Sequence, residues 1–261
     1  MRTDVACSLT VSSPAPATAL LQVALAAPDG EQLTVLSCGQ PVTPEEIAVP
    51  GARVHRLRLA AGETTIAYTA HVNSPGAPRQ VTPAEWAEYL RPSRYCPSDQ
   101  LEGYASTEFD RSVPRAQLVA DVAAWVGRRL IYTAGSSRPV DTAVDTLLLG
   151  QGVCRDYAHL TITLLRALEV PARLVAVYAP GLFPMDFHAV VEADVDGVWK
   201  TVDATRLAPT SSLVRICSGR DAADTAFLTL FGGQATLGSM TVTATVDGEL
   251  PAPDDEPFPL S

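Results

Sequence analysis

Residues 150–205 read GQGVCRDYAHLTITLLRALEVPARLVAVYAPGLFPMDFHAVVEADVDGVWKTVDAT, and the way this stretch folds decides how the remainder is understood. Gly150 and Gly152 break the chain just ahead of Cys154. A helical pattern then runs from about Val153 to Glu169, with Pro171 fixing its end. Cys154 therefore falls in the first helical turn, where free backbone N–H groups and the positive end of the helix dipole favour a thiolate. Ala158, Thr161, Ile162, Leu165 and Leu168 follow Cys154 at helical spacing and give a face that holds the helix against a core. Arg155, His159, Thr163 and Arg166 form a separate polar stripe. His159 lies about 140° round the helix from Cys154, poorly placed to serve it, and reads as a solvated or capping residue.

Two alternating segments follow, Phe187–Glu192 and Val198–Asp203, separated by Asp196-Gly197, a strong two-residue hairpin signal. A tight turn there pairs Val195 with Val198, Val190 with Asp203 and His188 with Thr205. His188 and Asp203 are then diagonal neighbours on one face, about 7–8 Å apart along the backbone, close enough for a carboxylate to reach an imidazole. A slip of one residue would put them on opposite faces. Taken singly, each residue has an ordinary reading: a small buried thiol, a structural histidine and a turn aspartate. Together, in the order Cys154, His188, Asp203, they are the parts of nucleophilic catalysis by a thiolate. The sulfur attacks a carbonyl carbon, the imidazole moves the proton, and the carboxylate orients the imidazole and stabilises its charged form.

These segments resemble the bacterial branch of the transglutaminase-like superfamily of papain-related cysteine enzymes. Gly152-Val153-Cys154-Arg155-Asp156-Tyr157-Ala158-His159-Leu160 resembles the family's nucleophile helix. Leu165–Leu168 and Val170–Arg173 resemble the helix end and the next strand. His188–Glu192 resembles the histidine strand, with Val190 where Trp is usual, and Val202–Thr205 the aspartate strand, with Ala204 where Pro is common. Tyr89–Tyr95 and Ser218–Asp224 resemble flanking blocks of the same branch. The resemblance covers roughly residues 90–235. It implies that Cys154 is the nucleophile, His188 the base and Asp203 the orienting acid. The fold it implies is α+β, with a nucleophile helix packed on an antiparallel sheet and a small β-sandwich domain ahead of it.

The bulk properties narrow the field. With 261 residues, 47% hydrophobic and 18% charged, the chain is globular rather than disordered. A net charge of −10 with only 19 Lys and Arg argues against nucleic-acid and anionic-membrane partners. The five cysteines, Cys7, Cys38, Cys96, Cys154 and Cys217, form no CxxC pair and no zinc spacing with the histidines. Reduced thiols in a cytoplasmic protein are expected, with no metal and no other cofactor. The start of the chain shows no leader pattern, and no apolar run is long enough to span a bilayer.

Residues 1–80 alternate in short runs separated by Pro and Gly turns, which predicts an antiparallel sandwich or barrel. His55 and His71 read as structural. Residues 73–84 are a linker by composition, residues 81–247 the catalytic domain, and 248–261 an acidic, Pro-rich tail expected to be disordered. Pro114 is expected at the first position of a helix, with Ser112 as its cap. A short helix is expected over Thr142–Leu149, and Thr241–Val246 should be the last strand, closing the sheet. The loop before His188 borders the site, so Phe183 and Met185 either touch substrate or simply pack down. Arg220 and Asp221 read as a structural anchor. Gln151 is a candidate oxyanion donor beside the Cys154 N–H, and an ordinary loop glutamine at least as readily. The expected function is acyl transfer from a peptide or protein amide, with hydrolysis ahead of transfer to an amine. The alternatives are a protein-glutamine transglutaminase and a non-catalytic peptide-binding module on the same fold.

Overall fold

A computed structural model describes residues 2–73, 78–232, 234–252 and 258. The first part of the chain is all strand: β1 (Thr3–Ser13), β2 (Ala17–Leu21), β3 (Gly30–Ser37), β4 (Gln40–Pro41), β5 (Glu45–Val49), β6 (Ala52–Leu59) and β7 (Gly62–Val72). Next come α1 (Pro83–Tyr89), α2 (Glu102–Glu108), α3 (Arg115–Arg129), β8 (Ile131–Tyr132), α4 (Ala143–Leu149), β9 (Gln151–Gly152) and α5 (Cys154–Ala167). The chain ends with β10 (Ala172–Tyr178), β11 (Phe187–Val195), β12 (Val198–Val202), β13 (Val214–Gly219), α6 (Ala222–Thr225), β14 (Leu228–Phe231) and β15 (Thr236–Val246).

Strict alternation of buried and exposed residues along β1 marks a strand with one face in a core. That core lies between two antiparallel sheets, ordered β15-β1-β7-β3-β4 and β14-β2-β6-β5. Leu9, Ile66 and Val242 of the first meet Leu21 and Leu57 of the second, so the expected sandwich is present. Its core runs on into Tyr178, Val214 and Ile216 of the third sheet, and the Tyr178 hydroxyl donates to the Val23 carbonyl at 3.0 Å.

The third sheet has the order β12-β11-β10-β13, all antiparallel. Helix α5 packs on it through Leu160, Leu164 and Leu165 against Leu174, Val191 and Ala193. The expected helix packed on an antiparallel sheet is therefore also present. Helix α5 is enclosed more completely than its sequence predicts. The stripe Arg155, His159, Thr163, Arg166 does not face water: His159 and Thr163 are fully buried, and Arg166 spends its donors on the carbonyls of Ala172, Arg91 and Arg220. A buried stripe of this kind is tolerable because Thr163, Arg166 and His159 Nε2 each find a partner. The helix stops early because Glu169 turns into the left-handed region at φ 63°.

Other expectations shift. Helix α3 starts at Arg115, not Pro114, whose extended ψ of 145° leaves it just outside the helix with no side-chain cap. Ser112 does not cap it either, and its N–H donates instead to Asp110 at 2.8 Å. Helix α4 is capped by Thr142, which accepts from the Asp145 N–H while Asp145 accepts from Thr142. The last strand joins the sandwich rather than the third sheet: β15 pairs with β1 from Thr3↔Val246 to Ser12↔Thr236, and β14 pairs with β2. Residues 228–231 and 236–246, grouped with the catalytic segment on sequence, thus pair into the N-terminal sheets.

Part of the linker also pairs. Trp199 donates to Arg79 at 2.9 Å and Val81 donates to Gly197 at 2.8 Å, along the outer edge of β12. Of the tail expected to be disordered, residues 253–257 and 259–261 lie outside the described residues. Phe258 is described and bridges Thr201. Among the described residues, no helix is long and apolar enough to cross a membrane.

Candidate active site

Cys154 is the first residue of α5 and is partly exposed. Two glycines shape the approach. Gly150 ends α4 at φ 69°, a conformation that disfavours any side chain. At Gly152 a Cβ would lie 2.6 Å from the Asp156 Cβ, so the backbone can pass only without one. Asp156, fully buried, accepts from the Val153 N–H at 2.8 Å and from Arg155 Nη2 at 2.8 Å, pinning the turn that presents the sulfur.

The Asp196-Gly197 turn is tight, with φ of 54° and 82°, and Val195 pairs with Val198. The ladder continues to Val191↔Val202, so Asp203 follows the last paired residue. His188 and Asp203 meet: His188 Nε2 and Asp203 Oδ2 are 2.8 Å apart, with both side chains almost fully buried. Asp203 Oδ1 accepts from the Thr205 N–H at 2.8 Å and from the Thr205 hydroxyl at 2.7 Å. With Nε2 held by the carboxylate, Nδ1 is the ring nitrogen left over, and it has no hydrogen-bond partner within ordinary limits. Cys154 is near enough for its charge to act on His188.

Electrostatics follow from this arrangement. Burial alone would lower the His188 pKa, but the Asp203 charge and hydrogen bond, aided by Cys154, outweigh it and raise the value to about 10. Burial acts to raise the Asp203 pKa, and the His188 charge with the His188 and Thr205 hydrogen bonds overcomes it and lowers the value. His188 is thereby held as an imidazolium and Asp203 as a carboxylate at neutral pH.

Tyr132 is a site residue that the sequence did not single out. Strand β8 pairs in parallel with β9, placing Tyr132 opposite Gly152, and Thr133 donates to the Gly152 carbonyl at 2.9 Å. Tyr132 is near enough to Cys154 for the Cys154 charge to act on its phenol. Burial and the Cys154 charge push the Tyr132 pKa up to about 12, so the phenol stays a hydrogen-bond donor at pH 7. The one available signal was the two-residue β8 ahead of a glycine break, too short for periodicity to reveal. Gln151 pairs with Ile131 through the backbone.

The remaining residues divide by location. His159 is not solvated. It is fully buried, stacks on Tyr95 with ring centroids 5.1 Å apart, and through Nε2 accepts from the Ala222 N–H at 3.1 Å. It therefore caps a helix other than its own, and burial lowers its pKa to about 4, so it is neutral at pH 7. Asp221 caps α6 through the Ala223 N–H and also accepts from the Tyr95 N–H at 2.9 Å, while Arg220 pairs with Asp224 at 2.8 Å. Both match the anchoring expected of them. Phe183 is 92% exposed and Met185 42%, so neither is packed down, and the loop meets the Cys154 cavity through Asp186 and Phe187 instead.

Comparison with known proteins bears on the family and the fold. Residues 106–204 match the model of the family described as the transglutaminase-like superfamily. A solved structure from Cytophaga hutchinsonii, described as a proposed cysteine protease, is 32% identical with a TM-score of 0.89, covering 99% of this chain and 96% of that one. The periplasmic domain of TgpA from Pseudomonas aeruginosa is more distant, at 19% identity and TM-score 0.41, covering 77% of this chain and 70% of that one. An uncharacterized protein of Mycobacterium leprae is 27% identical over 150 residues, 53% of each chain, so the chain spans about half the length of this curated relative.

Proposed function

The chain belongs to the transglutaminase-like superfamily, and from that premise we propose that it is a thiol-dependent acyl-transfer enzyme acting on a peptide or protein amide. In this reading Cys154 is the nucleophile, His188 carries the proton and Asp203 orients the imidazole. The observation that carries it is the 2.8 Å contact between His188 Nε2 and Asp203 Oδ2, which leaves Nδ1 for Cys154. The Cys154 thiolate attacks the amide carbonyl carbon, and the tetrahedral oxyanion is stabilised by the Cys154 N–H. His188 Nδ1 gives its proton to the leaving amine as the C–N bond breaks, and a thioester remains. Nδ1 then takes a proton from water, which attacks the thioester and frees the acid and the thiolate.

Hydrolysis is favoured over transfer to an amine by the likeness to the Cytophaga hutchinsonii protein. The five free thiols support a reducing, cytoplasmic setting. Alkylation by iodoacetamide tests the site directly. An ordinary thiol near pKa 8.5 is only about 0.3% ionised at pH 6. Wild-type Cys154 is expected to react at pH 6 about 100-fold faster than Cys154 in His188→Ala. Equal slow rates in both proteins would remove the thiolate–imidazolium pair and the enzyme reading with it.

Tyr132 is assigned the second oxyanion donor, ahead of Gln151, because the β8–β9 pairing sets it opposite Gly152, two residues before Cys154. Tyr132→Phe should lower kcat about 10- to 100-fold with little change in KM. A change confined to KM would make Tyr132 a binding residue instead.

A further inference from the structure

The cavity at Cys154 has a volume of about 550 Å³ and leads from α5 towards the strands that return to the sandwich. Its charged lining groups are Arg155, next to Cys154 in the chain, and Asp186 and His188, two residues apart. The rest of the lining is mostly apolar, with Ile216, Phe187, Phe227, Leu228 and Met240 as large side chains. Phe187 and Phe227 stack with centroids 5.0 Å apart, and Phe187 also meets Tyr178 at 5.5 Å, which stiffens that wall. Arg155 is turned back on its own helix turn, donating to Asp156 and to the Arg138 carbonyl at 2.9 Å, so it projects no free charge onto the apolar lining. A few polar groups in a mostly apolar lining are the usual form of a site that fixes a reacting group and selects its side chain.

The geometry points to an acyl pocket for a bulky apolar group. The residue whose carbonyl Cys154 attacks carries an aromatic or branched aliphatic side chain, and Leu228 and Met240 select it. This rests on Cys154 being the nucleophile. A small acyl group leaves the apolar wall uncovered, and a charged one enters it without a partner. Because Leu228 belongs to β14 and Met240 to β15, each an edge strand of a sandwich sheet, the sandwich is a specificity element of the site.

The test uses N-acetyl-phenylalanyl, leucyl, glycyl and aspartyl chloromethyl ketones on the full chain. Cys154 Sγ displaces chloride from the methylene carbon to give a thioether, so neither the natural leaving group nor the acceptor is needed. Each rate is divided by that of the same reagent with free cysteine. The phenylalanyl and leucyl reagents should exceed the glycyl one about 10- to 100-fold, with the aspartyl one slowest. Leu228→Asp and Met240→Glu, both at partly buried positions, should each bring the phenylalanyl-to-glycyl ratio near unity, and the milder Leu228→Ala should lower it at least about threefold. A flat ratio in the wild type, or a ratio unchanged in all three variants, overturns the pocket while His188-dependent alkylation at pH 6 still stands. Loss of that dependence overturns the nucleophile reading itself, and the pocket falls with it.

Discussion

Asp203→Asn should lower kcat on an amide substrate by about 10²- to 10⁴-fold in a chain that remains folded. Asp203 holds His188 with one oxygen and Thr205 with the other. An asparagine has one acceptor and one donor end for these two partners. With its oxygen towards the Thr205 N–H, its amide N–H faces Nε2 and demands a lone pair there. The imidazole proton then moves to Nδ1, and the ring can no longer take a proton on the Cys154 side. With the amide reversed, its N–H collides with the Thr205 N–H. Either way the carboxylate charge that raises the His188 pKa is lost.

The same substitution should therefore move the alkaline limb of the pH–rate profile to lower pH. In the wild type the imidazolium persists until pH approaches about 10, and in the variant the proton leaves earlier. A limb in the same place in both proteins would show that Asp203 does not set the His188 charge. Stability follows the same linkage. The folded His188 pKa lies above its unfolded value near 6.5, so its contribution is whole below about pH 6.5 and is lost as pH rises towards 10.

The parts of this site that were legible from sequence are those governed by local rules. Asp196-Gly197 dictates a two-residue turn, the turn dictates the register, and the register puts His188 and Asp203 on one face. The glycines and the 3.6-residue period locate Cys154 at a helix start. What escaped depends on contacts distant in sequence. Tyr132 reaches Cys154 only through a two-residue parallel pairing. His159 carries the polarity of a surface residue, and only the stacking of Tyr95 and the approach of Ala222, 63 residues on, bury it. Strand β15 alternates like any strand, and nothing local says that its partner is β1, at the other end of the chain. The apolar cavity wall is assembled from β11, β13, β14 and β15 together, so no single window of sequence contains it.

Beneath the site, Glu192→Gln should destabilise the fold by about 3–5 kcal/mol, a large part of the roughly 5–15 kcal/mol available to a domain. Glu192 is fully buried four residues beyond His188 on β11. It accepts from Arg173 Nε at 2.7 Å and from Arg215 Nη1 at 3.0 Å, with a second, short contact to Arg215 Nη2. Arg173, 1% exposed, also pairs with Glu85 of α1 at 2.8 Å and lies 4.0 Å from the centre of the Trp199 ring. Arg79 also reaches Glu85, at 3.1 Å, so Glu85 is shared with a more exposed arginine while Glu192 holds the two buried ones. An amide at Glu192 has the same size but removes the carboxylate charge that both arginines contact, in a place where water cannot stand in for it. Burial acts to raise the Glu192 pKa, and the Arg215 and Arg173 charges overcome it and lower the value. Its contribution is therefore present above the ordinary glutamate range and is lost as pH falls through the depressed folded value. Urea unfolding at pH 7 measures the loss, and the gap between wild type and variant should narrow as the pH is brought down. A difference below about 1 kcal/mol at pH 7 would mean that the arginines are held by their packing on Trp199 and Tyr89 and by Glu85, and that the shared carboxylate is not what seats the histidine strand.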